Sequence, residues 1–178
     1  MAGVAHPLVD QLRFARTEWL RALDGVPESD GVIRLEPMNS ISWIVFHLAW
    51  HEQISFLTRL QGVTPVPEAN EHGVNGQPAS APPLAEALRA WLAVATAADP
   101  ALDRFDTAAL QAWLPNTRQP ETRLVGSTVQ RVIYHYWVHI GEILAIRQIL
   151  GHAAVPEFVG DIDRLAPYRA DSADEAEA

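Results

Sequence analysis

Cysteine and lysine are both missing from this sequence of 178 residues, and each absence excludes a kind of chemistry. A chain without cysteine forms no disulfide and has no thiolate of its own to serve as a nucleophile or metal ligand. This composition fits a reducing compartment, so we expect a cytoplasmic protein. All 13 strongly basic residues are arginines, and a net charge of −9 provides no basic surface for nucleic acid or for an anionic membrane. We therefore expect neither partner.

Long apolar runs are also missing. None reaches the roughly 18 residues of a membrane-spanning helix, and no secretory signal opens the sequence, so we expect a soluble protein without targeting. The length suits one domain that buries a core without disulfides or a structural metal. We predict this domain over residues 1–170 and a disordered acidic tail over residues 171–178.

What the sequence does have is helical periodicity, in four long segments with no strand-like alternation between them. The predicted starts are Pro7, the N-cap Asn39, the pair Pro82 and Pro83, and a capping box of Ser127 and Gln130. The predicted ends are Gly25, Gly62, the pair Asp99 and Pro100, and Gly151. A shorter helix is expected around residues 106–113. The pattern predicts an all-α protein, a four-helix bundle with long connecting loops.

The longest connection covers residues 62–81, which are rich in proline and glycine. A loop of this length in a compact bundle is either a functional lid or simply mobile, and the composition leaves both alternatives open.

Two histidines lie in an apolar stripe of the fourth predicted helix. The segment "YHYWVHIGEIL", residues 134–144, places His135 and His139 four positions apart, and Glu142 shares their face. Burying an unpaired imidazole costs about 1–3 kcal/mol, and a metal ion removes that cost by binding a ring nitrogen. The spacing sets the two rings one above the other, where a single ion can bridge them.

The second predicted helix offers the complement. His47 shares a face with Trp43 and Trp50, and His51 follows one turn later. Three imidazoles from two facing helices would form a three-ligand metal site with one open coordination position. The alternative is a set of histidines that only fill the core or a pocket, because an HxxxH pattern alone is not specific.

The segments that carry these histidines resemble a known family. "NSISWIVFHLAWHEQ" and, some ninety residues later, "YHYWVHIGEILAIRQILG" are similar to the DinB/YfiT-like superfamily of four-helix metalloproteins, over most of residues 8–165. In that family one histidine of the second helix and two of an HxxxH bind one divalent metal, commonly zinc or nickel. The resemblance implies His47, His135 and His139 as ligands. Relatives often have glutamine where Glu142 stands, which leaves open whether Glu142 touches the metal, orients a ligand or binds substrate.

The resemblance also implies an activity, because characterised relatives include transferases and an isomerase that use mycothiol or bacillithiol. An external thiol suits a chain without cysteine, and the use of arginine in place of lysine hints at a GC-rich coding sequence, which favours mycothiol. In such an enzyme Glu142 or His51 would move the proton, and Arg131 would meet an anionic substrate at the pocket mouth. Trp43 and Trp50 would be apolar walls.

The alternative function is a non-catalytic, metal-binding or stress-associated bundle in which the ion stabilises the fold. A fourth protein ligand such as His51 would favour this structural role, whereas an open position beside a pocket would favour the enzyme.

A second apolar stripe lies on the back of the fourth helix. It consists of Ile133, Trp137, Ile140 and Leu144. A helix that is apolar all round must be covered on both sides, either by a neighbouring helix of the same chain or by a second molecule. A central tryptophan is a typical interface anchor, so we predict a homodimer through this stripe.

Overall fold

A computed structural model describes residues 5–76, 79–118, 121–157 and 159–169, and these residues confirm the all-α prediction. They contain no β-strand, only an isolated bridge between Trp113 and Leu124. The predicted acidic tail lies outside the described residues. The elements in chain order are α1 (Pro7–Leu23), α2 (Glu28–Gly31), α3 (Ile41–Glu52), a π-helical segment (Gln53–Thr58), α4 (Arg59–Gln61), α5 (Ala69–His72), α6 (Leu84–Leu102), α7 (Thr107–Gln111), α8 (Val125–Ile149) and α9 (Ile162–Leu165).

The core lies among the four long helical segments that the periodicity predicts. α1 packs against α8, α3 packs against α6, and α3 also contacts α8. The largest side chains fully buried between them include Trp19, Phe46 and Tyr136. No helix in the described part of the chain is long and apolar enough to cross a membrane.

A buried polar network ties these four helices together. The carboxylate of Glu52 on α3 accepts hydrogen bonds from Arg16 on α1, at 2.8 and 2.5 Å, and from the hydroxyl of Tyr136 on α8, at 2.6 Å. Trp91 on α6 donates to the same hydroxyl at 2.6 Å, and Arg16 also donates to Asp99 at 2.7 Å. Burial and then the Glu52 carboxylate raise the pKa of Tyr136, so its phenol stays protonated and donates.

Three predicted helix boundaries are wrong. The N-cap of α3 is Ser40 rather than Asn39, because the Ser40 hydroxyl accepts from the Trp43 amide at 3.2 Å. The other two boundaries differ because of tertiary contacts. α6 does not stop at Pro100 but runs through it to Leu102, because the buried side chains of Ala101 and Leu102 hold the last turn in the core. α8 starts at Val125 rather than at a Ser127 capping box, because the Val125 amide is already held by the carbonyl of Ala112 at 2.9 Å. Tertiary contacts override the local signals at both places.

The long connection after α4 is attached at two points, once to the π-helical segment and once to α3. Gly62 ends α4 in the left-handed conformation, as the sequence predicts. The side-chain amide of Gln53 then donates to the Val66 carbonyl and accepts from the Val66 amide, both at 2.8 Å. The second attachment is a hydrogen bond between His47 and the Gly73 carbonyl. These contacts attach the connection to the helices at Val66 and Gly73.

The second apolar stripe of α8 is largely covered by the chain itself. Ile133 and Ile140 are buried, and the ring of Trp137 lies 6.1 Å from that of Phe14 on α1. Trp137 and Leu144 remain partly exposed. The homodimer stays a prediction that would use these two side chains.

Candidate metal centre

Three imidazoles converge where α3 faces α8. His47 lies on α3, and His135 and His139 lie one turn apart on α8, as the sequence predicts. The Nε2 atom of His135 is 3.0 Å from the Nε2 of His47 and 3.0 Å from the Nε2 of His139. One ligand atom from each ring falls within 4.8 Å of the others. Among the described histidines, aspartates and glutamates, only these three form such a group.

The other nitrogens of two rings fix the tautomers. The Nδ1–H of His47 donates to the carbonyl of Gly73 at 2.6 Å, and the Nδ1–H of His139 donates to the carboxylate of Glu142 at 2.8 Å. In the neutral ring the lone pair is then on Nε2, pointing at the centre of the group. A proton on the Nε2 of His135 forms a well-directed hydrogen bond with only one of these two lone pairs, that of His47 or that of His139.

Burial favours the neutral form of two of the rings, those of His47 and His135. It is the largest cause that lowers the pKa of His47, and it lowers that of His135 to about 2, with further repulsion from His51, His139 and His47. Neutral imidazoles with inward lone pairs are the form that binds a metal.

These observations fit a divalent cation. Tetrahedral coordination at about 2.0–2.1 Å separates ligand nitrogens by about 3.3 Å, which is close to the 3.0 Å from His135 to each of the other two rings. A cation satisfies all three inward lone pairs together, whereas a single shared proton does not. The donor set of three imidazole nitrogens suits zinc, nickel and similar ions better than magnesium or calcium, which prefer oxygen.

A cavity of about 410 Å³ adjoins the group of histidines. Its lining comprises His47, Trp50, His51, Asn75, Arg131, Tyr134, His135 and Val138. His51, Arg131 and Trp50, all predicted as site residues, therefore lie together here. Burial lowers the pKa of His51 to about 3, with further repulsion from His47, Arg131 and Arg59. Its Nδ1 atom is buried and has no hydrogen-bond partner within the described residues.

The two predicted tryptophans hold His47 in different ways. The ring of Trp43 stacks on that of His47 at a centroid distance of 4.8 Å and an angle of 10°, and it is buried behind the ring. Trp50 stacks at 5.7 Å and also lines the cavity. Trp43 thus supports a ligand rather than forming a wall, and Trp50 does both.

Gly73 is a site residue that the sequence analysis missed. A Cβ atom added there would lie 2.5 Å from the carbonyl oxygen of Phe46 and 3.0 Å from the Cα of His47. Only glycine therefore lets the loop approach α3 closely enough for its carbonyl to accept from His47. A glycine in a loop is common, and its link to His47 over 26 positions has no local signal.

Gly73→Ala should weaken metal binding about 10–100-fold, because the displaced loop no longer orients His47. Competition with a chelator of known affinity measures this loss. Gly141→Ala is the matched control, since a Cβ there meets nothing within 4 Å on the exposed face of α8. The control should keep full affinity and gain helix stability. Equal affinity of the two variants would contradict the role of Gly73.

The fold and the site together define a class, namely helical proteins with a three-histidine site that is suited to a divalent metal. A sequence model of the DinB superfamily matches residues 11–143, which include all three histidines. The chain belongs to the DinB superfamily, a metal-binding family. A comparison with curated proteins finds no match.

Proposed function

We propose that this protein is a divalent-metal-dependent transferase that joins a low-molecular-weight thiol of the mycothiol type to a small electrophile. The observation that supports the proposal most is the convergence of three imidazoles beside a cavity of about 410 Å³. Three ligands leave a coordination position for an exchangeable molecule, which is the arrangement of catalytic rather than structural zinc sites. A thiol brought from outside supplies the sulfur that a chain without cysteine lacks.

His47, His135 and His139 would hold the ion, for which zinc and nickel are the leading candidates. When bound, a divalent ion lowers the pKa of a coordinated thiol and so provides a thiolate near neutral pH. The sulfur forms a bond to the electrophilic carbon, the leaving group departs with the bonding pair, and the thiol proton ends on the leaving group. The overall reaction therefore consumes one thiol and one electrophile, and it forms one thioether and one protonated leaving group.

Glu142 is the residue that we assign to the proton. One carboxylate oxygen accepts from His139, and no described residue bonds to the other. The side chain is 25% exposed and its first oxygen bonds to His139, so we infer that the second oxygen takes the proton from a bound thiol. His51 and Trp50 would contact the thiol or the electrophile in the cavity, and Arg131 would meet a negative charge at its edge.

Glu142→Gln should slow turnover by about 10²–10⁴-fold, because the amide still accepts from His139 but no longer takes a proton. Metal content should stay that of the wild type. The assay measures consumption of mycothiol by metal-loaded protein with a panel of small electrophiles.

Glu142→Ala is the comparison that separates the two roles of this carboxylate. It removes the acceptor of the His139 N–H as well as the base, so it should also weaken metal binding about 10–100-fold. Wild-type turnover in Glu142→Gln would remove Glu142 from the proton transfer. A metal that binds while no thiol is ever consumed would instead favour the non-catalytic alternative.

A further inference from the structure

Some arginines of this acidic chain form ion pairs with carboxylates, whereas for others the described residues provide none. Within the described residues, carboxylates form ion pairs with the following six of the 13 arginines: Arg13, Arg16, Arg21, Arg34, Arg164 and Arg169. Arg147 donates to two backbone carbonyls and to His152. Four others, which we call the arginine cluster, lie at one end of the α3–α8 pair, and the described residues provide no ion pair for them. These are Arg59, Arg118, Arg123 and Arg131.

Three members of the arginine cluster line a cavity of about 270 Å³. Its lining consists of Arg59, Arg118, Arg123 and two threonines, Thr117 and Thr122. Among the described residues, no carboxylate lines it. Guanidinium groups are donors that fit the oxygens of a phosphate or carboxylate.

The charges of the cluster act on one another. Burial is the first cause that lowers the pKa of Arg123, and repulsion from Arg131 and Arg59 adds to it. In a chain with a net charge of −9, cations held together without anions mark a site that an anionic ligand would stabilise.

The cluster is placed beside the metal centre by the two helices that carry the ligands. His47 contacts His139 while His51 contacts His135, so the two helices run in opposite directions. Arg59 follows His51 by eight residues, in the short α4 that continues α3 through the π-helical segment. Arg123 lies two residues before the start of α8, the helix that carries Arg131. Arg131 lines the metal cavity and repels both His51 and Arg123, which connects the two regions.

We propose that the arginine cluster binds an anionic group, a phosphate or a carboxylate, of the small molecule that reacts at the metal centre. The binding of the anion stands on the cavity alone, whereas its identification as part of the reactant rests on the proposed function. The ligand would be elongated, with its reactive end at the histidines and its charge at the arginine cluster.

Calorimetric titration of the chelator-treated protein with inorganic phosphate tests the first half. We expect saturable binding at one site per chain. Arg59→Gln and Arg123→Gln should each weaken it about tenfold or more, because each removes a charged hydrogen-bond donor. Arg89→Gln is the control, since this exposed arginine of α6 lines none of these cavities and should leave binding unchanged. Circular dichroism checks that each variant is folded.

Two outcomes would overturn anion binding at the cluster: no saturable binding, or an equal loss in Arg89→Gln. His135→Ala should bind phosphate as the wild type does, so failure of the metal site and failure of the anion site are distinguishable.

The second half is tested in the thiol-transfer assay with paired electrophiles that differ by one carboxylate. Arg59→Gln should raise KM about tenfold for the electrophile with the carboxylate and leave KM unchanged for the other. Equal KM values of the wild type for both electrophiles would contradict the claim that the bound anion is part of the reactant.

Discussion

His135→Ala should lose stoichiometric metal, and this is the largest effect that we expect at the candidate centre. His135 is the middle ligand, with its Nε2 atom 3.0 Å from both of the other Nε2 atoms. Removing a group that merely orients a ligand costs about 10–100-fold in affinity, so removing this ligand should cost more than about 100-fold. Dialysis against a metal buffer, followed by elemental analysis, measures the loss.

The same variant should lose the stabilisation that the ion provides. A ligand whose free concentration is 100 times its dissociation constant stabilises a folded protein by about 2.7 kcal/mol. Added metal should therefore raise the melting temperature of the wild type but not that of His135→Ala. His72→Gln is the control, because the ring of His72 lies near Phe46 and contributes no atom to the group of ligands. Full metal occupancy in His135→Ala would show that the ion binds elsewhere.

Glu52→Ala should lower the free energy of unfolding by about 3–5 kcal/mol. Glu52 is fully buried and accepts three hydrogen bonds, and its removal leaves the guanidinium of Arg16 buried beside an empty space. This is a large share of the roughly 5–15 kcal/mol that a domain of this kind has in total. Urea denaturation measures the change.

Two companion variants show whether the loss comes from the buried charge. Asp99 is the outer partner of Arg16, and the side chain of Asp99 is 46% exposed. Asp99→Ala should therefore lower the free energy of unfolding by about 1 kcal/mol or less. The double variant Arg16→Met with Glu52→Leu removes both charges and should recover most of the stability. A double variant that is as unstable as Glu52→Ala would contradict this account.

The helices and the three converging histidines were predictable from the sequence because they depend on repeating local patterns. Apolar residues at helical spacing predict α1, α3, α6 and α8. The pair His135 and His139 shows its shared face through spacing alone, and only the resemblance to a known family selects His47 as the ligand on the facing helix.

What the sequence did not predict depends on contacts between distant residues. The π-helical segment directly after α3, the Gly73 carbonyl that orients His47, and the passage of α6 through Pro100 all follow from tertiary packing. The arginine cluster was missed for the same reason, since Arg59 and Arg123 are 64 positions apart and come together only in the fold. The spacing of residues in the sequence predicts which side chains share a face of a helix. Which residues pack against that face is seen only in the structure.

The central claim is that His47, His135 and His139 hold one divalent metal. Elemental analysis of protein that is purified without a metal-affinity tag tests it most directly. We predict about one zinc or nickel ion per chain, retained through gel filtration and released by a strong chelator. Protein that carries no stoichiometric divalent metal, and takes up none when zinc or nickel is supplied, would contradict the account.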